Sequence, residues 1–246
     1  MGADELLAEA IEAHGGAAFD VATEVTARVH CGGVAFPMRF QRGALSNFSG
    51  TVSTKKPHVV ISPYPGPGRR GVFDGGAVRI ETDSGAVVAE RADPRPAFRS
   101  FRHNVWWDDL DLLYFGGYAL WGYVNASFML RRDGFEISEA ESWREDGETW
   151  RGLRVRFPED VPAHSREQTY YFDDRGLLRR NDYTAEVFGG WAKAAHYCWD
   201  HERFDGIVVP TRRRAMVRRR SGKPLPGVAV VSIAIEDFRA VLGPQR

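Results

Sequence analysis

The chain has 246 residues, 43% hydrophobic and 12% aromatic, enough apolar material to pack a core in one large domain or two small ones. Lys plus Arg and Asp plus Glu each number 33, and that balance excludes the strong global charge of a dedicated nucleic-acid or membrane-surface binder. Cys31 and Cys198 have neither CxxC spacing nor a second pair, which excludes a zinc set and a disulfide framework and leaves two buried, reduced thiols as the expectation.

The N-terminal residues MGADELLAEAIEAHGG are acidic where a secretion signal is basic and contain no apolar segment, so a cytoplasmic location is expected. Asp4 stands where it can cap a short helix with the stripe Leu6, Leu7, Ala10 and Ile11, closed by Gly15-Gly16. The period then changes to two. Val25, Ala27, Val29 and Cys31 alternate with Thr26, Arg28 and His30, which predicts a half-buried strand ended by Gly32-Gly33. Further strands are predicted at 36–42, 46–54, 57–62, 69–74 and 77–82, an antiparallel meander turning at glycines and prolines. The glycine-rich segment 63–76, PYPGPGRRGVFDGG, lacks the GxxxxGK[ST] pattern of a phosphate cradle and reads as a rim loop.

A polar, proline-containing linker at 91–98 leads into residues 103–130, HNVWWDDLDLLYFGGYALWGYVNASFML, the most informative stretch of the chain. It concentrates tryptophan, tyrosine and phenylalanine in one apolar run that opens on aspartates. A helix is predicted over 108–125, with Asp108 or Asp109 at its N-terminus, where negative charge is favourable. Leu110, Leu113, Tyr114, Gly117, Trp121 and Val124 mark one face, while Leu112, Phe115, Ala119 and Tyr123 keep the other apolar too. Such a helix is buried on both sides or faces a ligand. Gly116, Gly117, Asn125 and Ser127 dilute the run, and charged residues flank it, so no stable membrane insertion is expected.

Strands return at 135–144, 149–157, 166–173, 177–188, 192–204, 207–217 and 228–237, with hairpin turns such as Asp146-Gly147 and Asp205-Gly206. The expected fold is mainly β within the α+β class: one large, strongly curved antiparallel sheet or half-open barrel, an N-terminal helix, and a helical lid near 108–125. No composition break divides the chain, so residues 1–246 are expected to form one domain.

The order of elements, with the segments REQTYYFDDRGLLRRNDY, AAHYCWDHERFDGIVVPTRRR and VVSIAIEDF, resembles the lipoprotein-carrier superfamily of the LolA and LolB type. The matching text lies at about 168–237, and its motifs are structural turns. The resemblance implies a half-barrel around an apolar cavity closed by helices, which binds acyl chains or other hydrophobic molecules.

Candidate chemistry follows from residue type and alternation. His103 precedes Trp106, Trp107, Asp108 and Asp109, so an acid–base pair of His103 with Asp108 or Asp109 is one reading, and a polar linker before a charged helix start is the other. His196 alternates with Cys198, Asp200 and Glu202, opposite a face of Ala195, Tyr197, Trp199 and His201. No third ligand accompanies His196 and Cys198, so no metal and no cofactor are expected. His164 qualifies as a site residue only if its face looks into the cavity. Arg180 and Asp182 share a strand face, as a cross-strand ion pair or as a buried carboxylate able to polarise a ligand. In the basic segment from Arg212 to Arg220, Arg212 and Arg214 point one way and Arg213 the other, which favours a solvated or paired sheet edge over nucleic-acid contact, with an anionic head group near the barrel rim as a middle reading.

The functional expectation is binding of a hydrophobic small molecule or lipid in a cavity lined by Trp106, Trp107, Tyr114, Tyr118, Trp121, Tyr123, Tyr197 and Trp199, with no nucleic-acid partner. The alternative is a cofactor-independent isomerase, cyclase or hydrolase acting on a hydrophobic substrate there through His103, Asp108, Asp109, Asp182 or His196.

Overall fold

Alternating apolar and polar residues between tight turns can only bury one face of each strand, and the chain solves this by curling its strands around a single long helix. The computed structural model describes residues 2–41, 43–227 and 229–243. Two meanders share one sheet. The first holds β1 (Ala22–Gly32), β2 (Phe48–Ser53), β3 (His58–Ser62), β4 (Arg69–Asp74), β5 (Ala77–Thr82) and β6 (Val87–Arg91). The second holds β7 (Glu136–Glu145), β8 (Glu148–Arg156), β9 (Glu167–Phe172), β10 (Leu178–Thr184), β11 (Lys193–Phe204), β12 (Ile207–Val217) and β13 (Val231–Leu242). Every neighbour pair is antiparallel, and the meanders join where β13 returns beside β1, giving the order β6-β5-β4-β3-β2-β1-β13-β12-β11-β10-β9-β8-β7. The sheet is curved and unclosed, with β6 and β7 at its edges. Charged side chains along β7, among them Glu136, Glu139, Glu141 and Arg144, guard one edge against further strand pairing.

The helix α3 (Asp109–Met129) links β6 to β7 and packs on the concave face. It is buried along almost its whole length because its sequence is apolar on all sides. Two glycines permit its close approach: a Cβ on Gly117 would overlap Phe73, and one on Gly71 would overlap Leu113. Among the described residues no helix is long and apolar enough to cross a membrane. The helices α1 (Ala3–Ala13) and α2 (Gly16–Val21) cover the opposite end, where Phe19 stacks on Phe128 of α3 at 3.8 Å.

Several expectations need correction. Gly2, not Asp4, holds the N-cap position of α1, with Asp4 in the first turn. Gly15 takes φ +84 and restarts the chain as α2, which the sequence pattern did not signal. The strand predicted at 36–42 is a short 3-10 turn, Pro37–Arg39. Proline fixes φ there and donates no hydrogen bond, and Phe40 turns to φ +60; residue 42 lies outside the described residues. The strand β6 was not predicted, because its two valines are both exposed at the edge and show no alternation of burial. The strand predicted over 177–188 ends at Thr184, and Glu186–Phe188 forms another 3-10 turn. The last strand starts at Val231 rather than 228, a position outside the described residues, and runs on to Leu242.

Candidate functional site

The N-terminus of α3 is held by a dense polar knot. Asp108 caps the helix, accepting from the Asp111 backbone N–H at 2.8 Å, and the Asp111 carboxylate accepts in return from the Asp108 N–H at 3.1 Å. Asp111 is fully buried and also meets Arg91 at 2.5 Å, Arg102 at 3.5 Å and His103 Nε2 at 3.1 Å. Arg91 forks onto Asp108, and its hydrogen bond offsets the cost of burial to hold that carboxyl below its usual range. His103 is therefore paired with Asp111 and with Ser100 Oγ at 2.8 Å, not with Asp108 or Asp109. The Asp109 carbonyl accepts from the Tyr64 hydroxyl. The indole N–H of Trp107 donates to the His103 carbonyl at 2.8 Å, and the ring is fully buried, whereas Trp106 is 41% exposed beneath Arg102. Every polar group named here has a protein partner, which is the arrangement of a structural cap.

Deeper along α3, a second cluster is made of neutral groups. Its centre is His164, carried on the connection between β8 and β9. Nδ1 lies 3.2 Å from the Tyr118 hydroxyl and Nε2 lies 2.9 Å from that of Tyr123, while the ring stacks on Tyr183 at 4.0 Å. The Tyr183 hydroxyl is 3.3 Å from Nδ1 of His196, whose Nε2 has no hydrogen-bond partner among the described residues. Burial, reinforced by Arg95, lowers His164 to about 3, and burial with Arg213 puts His196 well below its ordinary value. The same desolvation raises Tyr118, Tyr123 and Tyr183. At neutral pH both imidazoles and all three phenols are uncharged.

Small cavities run along α3 through this region. A recess of about 210 Å³ is lined by Cys31, Phe36, Pro37, Leu45 and Leu112. It shares Cys31, Phe36 and Leu45 with an apolar void of about 30 Å³, bounded further in by Phe48, Phe115 and Leu120. That void shares Ala119 and Tyr123 with a third of about 20 Å³, bordered by His164, Tyr170, Asn181 and Arg213. The third is large enough for about one water molecule. Burial pushes the Cys31 thiol up to about 12, so it behaves as an apolar wall.

The structure thus brings Trp107, Tyr114, Tyr118, Trp121 and Tyr123 together between α3 and the sheet. It leaves Trp106 partly in solvent and puts Tyr197 and Trp199 on the convex face, stacked on each other at 5.5 Å within a separate cluster around Trp150. The register explains the split: His196 and Cys198 point inward, so the aromatic set of β11 points out. Asp182 is convex as well, gripped by Arg180 at 2.6 and 2.8 Å and by Arg218 at 3.3 Å. His103, Asp108 and Asp109 belong to the cap and only His196 to the neutral cluster. Tyr170, Tyr183 and Arg213 were not among the predicted site residues; for Arg213 the period-two split from Arg212 and Arg214 was the available signal.

An unclosed antiparallel sheet curled around a helix that is apolar on every side is a half-open barrel with its interior filled by that helix. Neither a family model nor a curated protein sequence matches the chain. Among solved structures, a LolA superfamily protein from Nitrosomonas europaea is similar at 11% identity, over 99% of this chain and 96% of that one, with a TM-score of 0.54. A DUF1329 family protein from Desulfovibrio piger is similar at 13% identity, over 99% and 95%, with a TM-score of 0.51. The fold is LolA-like, as the resemblance of the later strands implied.

Proposed function

We propose that the chain binds a hydrophobic small molecule or lipid between α3 and the concave face of its sheet. The observation that carries the reading is the line of small cavities along a lid helix apolar all round. The widest of these three cavities, about 210 Å³, is below the roughly 300–1,000 Å³ of ordinary ligand pockets, so binding requires α3 and the 3-10 turn at 37–39 to part from the sheet. The fold shared with a LolA superfamily protein supports a carrier role. Native mass spectrometry of freshly isolated protein, followed by organic extraction, tests this. A defined apolar molecule released on extraction is the expected result; no bound molecule, and no mass shift on incubation with fatty acids or aromatic polycycles, would overturn it.

A second reading, acid–base catalysis on the same ligand, is supported by His164 between the Tyr118 and Tyr123 hydroxyls, a geometry suited to passing a proton. Chemical conversion of the extracted ligand by the wild type, abolished in His164→Phe, would distinguish a catalyst from a passive carrier.

A further inference from the structure

Arg213 sits midway along β12 with only 4% of its surface exposed, facing α3, while Arg212 and Arg214 point outward. Its guanidinium donates to the Tyr123 carbonyl at 3.1 Å and to the Cys198 sulfur at 3.4 Å, and lies 5.0 Å from the centre of the Tyr123 ring. Its Nε has no hydrogen-bond partner, and it makes no ion pair, among the described residues. A buried cation without a counter-charge costs several kcal/mol.

The surrounding groups supply no negative charge. Burial raises the Cys198 thiol and the Tyr123, Tyr170 and Tyr183 phenols, so none ionises near neutrality. Burial lowers His14, His196 and His201, so these stay neutral too. Arg213 borders the innermost cavity, and its unpartnered Nε is a buried donor there.

We propose that the ligand carries an anionic head group, a carboxylate or a phosphate monoester, and that Arg213 binds it. This rests on the lipid-binding reading above and adds polarity and direction to it. The head enters first and pairs with Nε and a terminal nitrogen of the guanidinium, a bidentate geometry that lysine lacks. The chain then runs back past Ala119, Leu120 and Phe36 to the recess at Pro37. Because the innermost cavity is smaller than a carboxylate, entry displaces the 157–166 connection that carries Ala163 and His164.

The test is equilibrium binding of hexadecanoate, hexadecyl phosphate and hexadecanol, at a pH where both acids are ionised, to wild type, Arg213→Met and Arg213→Lys, each checked for a native circular-dichroism spectrum. The wild type should bind one or both anions at least about tenfold tighter than the alcohol, equal to about 1.4 kcal/mol. Arg213→Met should lose that preference while retaining the alcohol, and Arg213→Lys should keep part of it. Preference for carboxylate points to a free fatty acid and preference for phosphate to a phospholipid-derived ligand. Equal wild-type affinity for anion and alcohol, or an undiminished preference in Arg213→Met, would overturn the proposal and leave hydrophobic binding intact. If none of the three binds, both readings fall.

Discussion

Two buried arginines in the same half of the sheet show how differently one side chain can be used. Arg180, on the convex side, is fully buried and fully engaged: Asp182 takes it in a fork, Tyr197 accepts at 3.1 Å, the Gly222 carbonyl accepts at 2.5 Å, and Trp143 lies under it at 4.3 Å. Arg213, on the concave side, has among the described residues a carbonyl, a thiol and the ring of Tyr123, and no carboxylate. A guanidinium balanced in this way contributes to the fold, whereas one left among neutral groups is a cost the fold carries for another purpose. The contrast extends to their surroundings, since Arg180 belongs to a network with Glu145, Asp182 and Arg218 and Arg213 to one of phenols and imidazoles.

Removing the carboxylate from the balanced site should have the largest effect. Asp182→Ala leaves Arg180 buried beside fewer partners and should cost about 3–5 kcal/mol in urea unfolding; a loss below about 1 kcal/mol would mean that Glu145 and the Gly222 carbonyl suffice. The neutral side should reveal itself through pH. His164 is held at about 3 against an ordinary 6.5, so it stays neutral in the fold and takes up a proton on unfolding. Its contribution is complete above pH 6.5 and is lost as pH falls toward its folded value, with a slope of about 1.4 kcal/mol per pH unit. His164→Phe should remove that much slope from the unfolding free energy between about pH 6 and 4, whatever its absolute cost, and an unchanged slope would mean that His164 is protonated in the fold. The smallest effect is expected at the unbalanced site. Arg213→Met should change the stability of ligand-free protein by less than about 1 kcal/mol, in either direction, because the lost hydrogen bonds and the removed charge burial offset each other. A loss as large as that of Asp182→Ala would erase the distinction between the two arginines.

Much of this architecture was legible in the residues. Hairpin turns announced themselves: Asp146-Gly147 and Asp205-Gly206 take positive φ at both positions, as the favoured two-residue turns require. The lid helix was visible because no other element reads as apolar on all sides, although it runs on to Met129, past the diluting Asn125 and Ser127, whose side chains are buried with it. The failures have physical causes. Pro37 and Phe40 break a segment whose composition reads as a strand. Tyr197 and Trp199 looked like cavity walls because aromatics usually point inward, but β11 buries His196 and Cys198 instead and leaves the aromatics to a convex cluster. His164 meets Tyr118 and Tyr123 from more than forty residues away, and no local period encodes that contact.

The sequence by itself determined most of the strands and their turns, the long apolar helix and the division of Arg212, Arg213 and Arg214 between two faces, because propensity and period are local properties of the chain. Only the tertiary structure decided which face is concave, which arginine receives a carboxylate and which histidines become neutral. Those outcomes depend on the direction of sheet curvature and on contacts between distant segments, and a period of two carries no sign to tell inside from outside.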